Sequence, residues 1–210
     1  MKKVLTYFVA CLNHLKKISG DVNLAKEMIR KAKLCGADCV KFQKSNLTEK
    51  FTQQALARSY NSQHSFGNTY GEHKFHLEFS EETYKDLQNF CQNEVKIAMT
   101  ASAMDEKSVE FLDEVLNVPF IKIGSGDVNN HFVLEKVARL EHRNAVISTG
   151  MTNIDQVQNI YKVTHYRGMS FLFKEIEKSS KTLIMKNIIQ IENSFWHLMA
   201  KKFDDIFFNF

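Results

Sequence analysis

The chain has 210 residues, of which 44% are hydrophobic and 25% charged, and a formal net charge of +4. That is enough for one domain with a core of its own, or for most of a larger one. The mild charge suits anionic small molecules but is far from the basic stripe of a nucleic-acid binder, and no apolar run approaches the roughly 20 residues of a membrane span.

The chain opens with "MKKVLTYFVACL", two lysines followed by a short apolar run. This resembles a signal peptide. The rival reading is a first strand, "LTYFVA", and the rest of the chain favours it. A helix is expected from Asp21, which caps a run with Ala25, Met28, Ile29 and Ala32 at helical spacing. Gly36 closes it as a left-handed cap. "DCVKFQK" then reads as a strand, and "KIAMTAS" (96–102), "FIKIGS" (120–125) and "NAVISTG" (144–150) as three more.

Helices are expected between the strands. One starts at Ser80, with Tyr84, Leu87 and Cys91 on one face. Another starts at Asp105, with Val109 and Leu112 inward. Two more cover about 131–140 and 153–164. Strands alternating with helices imply a parallel sheet. The last three strands recur at a step of about 24 residues, a length typical of one unit of a (β/α)8 barrel. The longer first gap is a polar insertion, roughly 44–79. A barrel places such an insertion over the active-site mouth, as a lid or binding loop.

Successive strand residues face opposite sides. Val40 and Phe42 therefore oppose Lys41 and Gln43, Ile97 and Met99 oppose Ala98 and Thr100, Ile121 and Ile123 oppose Lys122, and Ile147 opposes Ser148. A parallel sheet is covered on both faces, so the polar set points into a barrel or crevice. Two lysines there are costly unless something negative meets them. A phosphate or carboxylate ligand would do so. The bland alternative is pairing with core carboxylates, of which Asp127 is the main one.

Other patterns carry less. "GSGDVNN" lacks the third glycine of a dinucleotide loop. His73 and His76 stand three apart, but loop histidines are usually solvated or hydrogen-bonded. His14, His131, His142, His165 and His197 form no readable cluster. Cys11, Cys35, Cys39 and Cys91 contain no C-x-x-C pair and no zinc or disulfide spacing. Reduced thiols in a cytoplasmic protein are the expected state.

The motifs "GADCVKFQKS", "HSFGNTYGEHKFHLEFS", "TASAMDEKSVEFL", "VPFIKIGSGDVNN" and "ISTGM" resemble, in order, the N-acetylneuraminate (sialic acid) synthase family, close to the animal type. The resemblance runs over about residues 20–165. It implies an α/β fold, here an incomplete (β/α)8 TIM barrel of parallel strands with an irregular or helical C-terminal tail. It implies condensation of phosphoenolpyruvate with N-acetylmannosamine 6-phosphate, or with the free sugar, giving N-acetylneuraminate 9-phosphate or N-acetylneuraminate. It also implies a divalent metal, Mn²⁺ or Mg²⁺, and a homodimer. By the same resemblance Lys41, Thr100, Lys122, Ser125 and Ser148 match residues that hold phosphoenolpyruvate, and Gln43 a sugar contact. Asp127 sits where the family has an acidic residue near the reacting carbon, so Asp127 and Lys122 are the catalytic candidates.

The chain also departs from the pattern. The family's first strand carries an "AEIGQNHxGD" type of motif, whereas "VACLNHLKKISGD" puts Cys11 in place of the glutamate, with Asn13 and His14 near the usual pair. After His165 the resemblance stops, and no metal residues are assigned because the family's metal-binding histidines are not found. The expected organisation is a partial barrel domain over 1–165 and a divergent tail over 166–210, without the family's antifreeze-like domain. The tail's Phe, Ile, Lys and Asn richness resembles translated noncoding sequence. A truncated, catalytically inactive chain is therefore one alternative, and no measurable turnover is the expectation for this chain. Outside the family, a class I aldolase using Lys41 or Lys122 as a Schiff base is the other.

Overall fold

A computed structural model of the chain describes residues 7–8, 20–63, 65–140, 144–150, 152–165 and 171–174. Cys11, Asn13, His14, His142 and His197 lie outside these residues. So do the signal-peptide reading and most of the tail.

Among the described residues, six strands form one parallel sheet in chain order. They are β1 (Tyr7–Phe8), β2 (Cys39–Lys44), β3 (Ala98–Ala103), β4 (Phe120–Ile123), β5 (Asn144–Ser148) and β6 (Phe171–Lys174). The last belongs to the tail, where it pairs with β5 through Ala145–Phe171 to Ser148–Lys174. "FLFK" supplies the apolar and aromatic residues that fit a strand.

The first helix, α1 (Val22–Leu34), begins where Asp21 accepts hydrogen bonds from Asn23 N and Leu24 N. Its end is a Schellman motif. Gly36 N donates to Lys33 O at 2.9 Å and Ala37 N to Ala32 O at 3.1 Å. Gly36 has φ +87°, a conformation that glycine adopts without a Cβ penalty.

The insertion folds into three short helices, α2 (Leu47–Lys50), α3 (Gln53–Ala57) and α4 (Tyr70–Leu77). Asn46, Thr52 and Thr69 cap them, the last with Glu72 in a reciprocal capping box. Then come α5 (Glu81–Asn89) and α6 (Glu106–Glu110), capped by Ser80 and Asp105. Each continues as a π-helical stretch, Phe90–Val95 and Phe111–Val115. Two further helices, α7 (His131–Ala138) and α8 (Ile154–His165), flank β5.

Most buried apolar side chains among the described residues fall in two clusters, and the division marks the two faces of the sheet. Val40, Phe42, Met99, Ala101, Ile121, Ile123 and Ile147 join the helix side chains Ile29, Tyr84, Leu112 and Leu134 in the main core. Cys39, Phe120 and Val146, with Ala98 against them, form a separate small cluster. These are the alternate strand residues, so they lie on the inward face. Burial pushes the thiols of Cys39 and Cys91 up to about 12, which keeps both protonated and unreactive at neutral pH.

Candidate functional site

The strand register builds the inward face in layers. Cys39 is level with Ala98, Lys41 with Thr100, and Gln43 with Ser102. Ser102 is level with Lys122, and Lys122 with Val146. Cys39, Ala98, Phe120 and Val146 make an apolar floor at the N-terminal end. Lys41, Thr100, Ser102 and Lys122 stand above it on the same face and are all buried, Lys41 being 2% exposed. Two ammonium groups and two hydroxyls thus share one face of a covered sheet.

Lys41 Nζ donates to Ser102 Oγ at 3.4 Å. Thr100 Oγ1 donates to Phe120 O, which commits its proton to the neighbouring strand. Ser102 was not among the sequence candidates. The signal was present, because Ser102 is two residues beyond Thr100 and therefore faces the same way. Gln43 is half-buried near the end of β2, its carbonyl accepting from Tyr84 Oη. Ser125 and Ser148 are half-buried at the C-terminal ends of β4 and β5. Ser125 sits in a turn closed by Asp127 N donating to Gly124 O at 3.0 Å.

That turn brings Asp127 back over β4. A Cβ added at Gly124 would stand 3.7 Å from Asp127 Oδ2 and 4.0 Å from Lys122 Nζ. The two groups therefore flank one point at the strand's end. The other oxygen of Asp127 meets Lys50 Nζ at 2.7 Å, and both side chains are mostly buried. Lys50 comes from α2, so the insertion does reach the mouth of the sheet, as its position after β2 implied.

Beneath the insertion lies a cleft of about 290 Å³, lined among others by Ser45, Lys50, Tyr70, Lys74, Glu78 and Asp127. Glu78 binds Lys44 Nζ at 3.0 Å and accepts from Ser45 N at 3.2 Å. Burial holds the Glu78 carboxyl above its ordinary range, opposed by Lys44. Burial also lowers the Lys74 ammonium, and the positive charge of Lys50 adds to the effect. Lys50, Lys74 and Glu78 were invisible to the alternation argument, which speaks only about strands.

His73 and His76 belong to an aromatic cluster. Phe66 stacks on His76 with ring centroids 4.1 Å apart, and Tyr60 lies 4.7 Å from His73. Phe66 N donates to His73 Nδ1 at 3.3 Å, and burial lowers the His73 imidazole. Among the described residues no three His, Cys, Asp or Glu side chains are grouped to hold a metal ion. No helix among them is long and apolar enough to cross a membrane.

Comparison with known proteins shows the family. A model described as the NeuB family matches residues 28–187. The chain is 55% identical over 154 residues to the N-acetylneuraminate-9-phosphate synthase of Mus musculus, covering 73% of this chain and 42% of that protein. It is 54% identical to the same enzyme of Homo sapiens, with the same coverage. The chain thus spans about two fifths of the length of these curated relatives. Among solved structures, the N-acetylneuraminic acid synthetase of Leptospira borgpetersenii in complex with citrate superposes with a TM-score of 0.68. The identity is 22%, covering 95% of this chain and 62% of that one, so this likeness speaks to the fold.

Proposed function

Because the chain belongs to the NeuB family, we propose that its inward face holds phosphoenolpyruvate for condensation with N-acetylmannosamine 6-phosphate. One observation carries this reading. Lys41 and Lys122 are buried with Thr100 and Ser102 on one face above an apolar floor. Lysines and hydroxyls in that setting neutralise a trianionic enol phosphate and act more strongly than in water. Ser125 and Ser148, at the ends of β4 and β5, extend the set of donors toward the mouth. Gln43 faces the sugar.

In the reaction, carbon 3 of phosphoenolpyruvate attacks the sugar aldehyde, water adds at carbon 2, and phosphate leaves. Lys122 and Asp127 flank the end of β4, where the carboxylate stands near the reacting carbon and the ammonium near the anion. The family implies a divalent cation, Mn²⁺ or Mg²⁺. The described residues do not assemble ligands for one, so no step is assigned to it. A cytoplasmic setting and a homodimer are the family's expectation and accompany this reading.

Thermal unfolding with added phosphoenolpyruvate tests the proposal. At one hundred times its dissociation constant the ligand stabilises the native state by about 2.7 kcal/mol. For a chain of this size that raises the midpoint by roughly 5–11 °C. No shift at millimolar ligand would contradict the reading. Phosphate release with both substrates and Mn²⁺ then reads whether this chain performs the condensation as well as the binding. Borohydride trapping with pyruvate separates the Schiff-base alternative, since a covalent adduct would defeat the condensation reading.

A further inference from the structure

We infer that Ser45, Lys50 and Lys74 form a second anion subsite in the cleft under the insertion, which takes the phosphate monoester of the sugar substrate. The inference rests on the proposed function, and names the group that selects a phosphorylated sugar over a free one.

Two lysines, Lys50 and Lys74, line the cleft together with two carboxylates, Glu78 and Asp127. Lys44 takes Glu78 at 3.0 Å and Lys50 takes Asp127 at 2.7 Å. Lys74 forms no ion pair of its own among the described residues, although the charge of Glu78 acts on it. Its Nζ lies 5.6 Å from the Tyr70 ring centroid on the cleft wall. Both carboxylates are engaged by other lysines, so an anion bound in the cleft would give Lys74 a partner of its own.

A second observation is independent of charge. Ser45 is 5% exposed and lines the cleft, yet its Oγ has no hydrogen-bond partner among the described residues. Buried hydroxyls without partners are rare in folded proteins. Here the hydroxyl can donate to a phosphate oxygen, beside ammonium groups that supply charge-assisted bonds. The cleft and the inward face share one residue. Asp127 joins them, holding Lys50 with one oxygen while the other flanks Gly124 together with Lys122. An anion in the cleft would compete with Asp127 for Lys50. Sugar-phosphate binding would thereby release the carboxylate toward the reacting centre.

The test is calorimetric titration of the full chain with N-acetylmannosamine 6-phosphate, with N-acetylmannosamine, and separately with phosphoenolpyruvate. Wild type is expected to prefer the phosphorylated sugar. Lys74→Met and Ser45→Ala are expected to weaken the phosphorylated sugar at least tenfold and about threefold respectively. Both should leave the free sugar and phosphoenolpyruvate unchanged, and Lys74→Arg should keep most of the affinity. Unchanged phosphoenolpyruvate binding also certifies that each variant is folded. Equal wild-type affinity for the two sugars, or a Lys74→Met variant that retains the preference, would overturn the subsite. Loss of phosphoenolpyruvate binding in wild type would instead strike the proposed function, and the sugar titrations would still decide the subsite.

Discussion

Lys41→Met is expected to weaken phosphoenolpyruvate binding by roughly thirty- to a thousandfold with little change in the unfolding midpoint. Removing one charged partner from a desolvated ion contact costs about 2–4 kcal/mol, and each 1.4 kcal/mol is tenfold. Lys41 is 2% exposed and reaches Ser102 Oγ at 3.4 Å. Methionine keeps the length and the apolar stem of the side chain, so the change in stability is expected to be small beside the loss of affinity. A structural lysine would give the opposite pattern, with stability lost and ligand affinity kept. Calorimetric titration and thermal unfolding of one preparation separate the two.

Phe42→Ala carries the largest expected effect on stability. Phe42 is fully buried on the opposite face of the same strand. Its ring packs at centroid distances of 6.3 Å from Phe79 and 6.1 Å from Tyr84, and Tyr84 in turn lies 6.0 Å from Phe111. Truncating such a side chain removes its transfer free energy and leaves a cavity, together about 3–5 kcal/mol. Native domains are stable by only about 5–15 kcal/mol. The variant should therefore unfold at a much lower urea concentration with a similar dependence on denaturant. A loss below about 1 kcal/mol would show that Phe42 is not the packing element described here.

Lys41 and Phe42 are neighbours in sequence, and that contrast explains what the sequence made legible. Period-two alternation in a strand covered on both sides separates an inward set from an outward set. The same logic placed Thr100 and Lys122, and it would have placed Ser102 had it been carried two residues further. The helix starts at Asp21, Ser80 and Asp105 were legible because a capping side chain acts within three residues of chain.

The insertion was legible only as a location. Lys50, Lys74 and Glu78 lie on short helices or at their ends, and tertiary packing determines where those helices point. No period in the sequence says that Lys50 will meet Asp127 from 77 residues away. The orphan hydroxyl of Ser45 is likewise a property of the packed state alone. Strand β6 was missed for a related reason. Pairing with the edge of β5 decides its conformation, and four residues give too short a pattern to announce a strand.

The most direct measurement is titration of the wild-type chain with phosphoenolpyruvate against pyruvate at low ionic strength. The account predicts one phosphoenolpyruvate per chain, binding at least a hundredfold tighter than pyruvate and weakening as salt is added, because both buried lysines answer the phosphate as well as the carboxylate. Failure to saturate, or equal affinity for the two acids, would contradict the claim that Lys41 and Lys122 form an anion site.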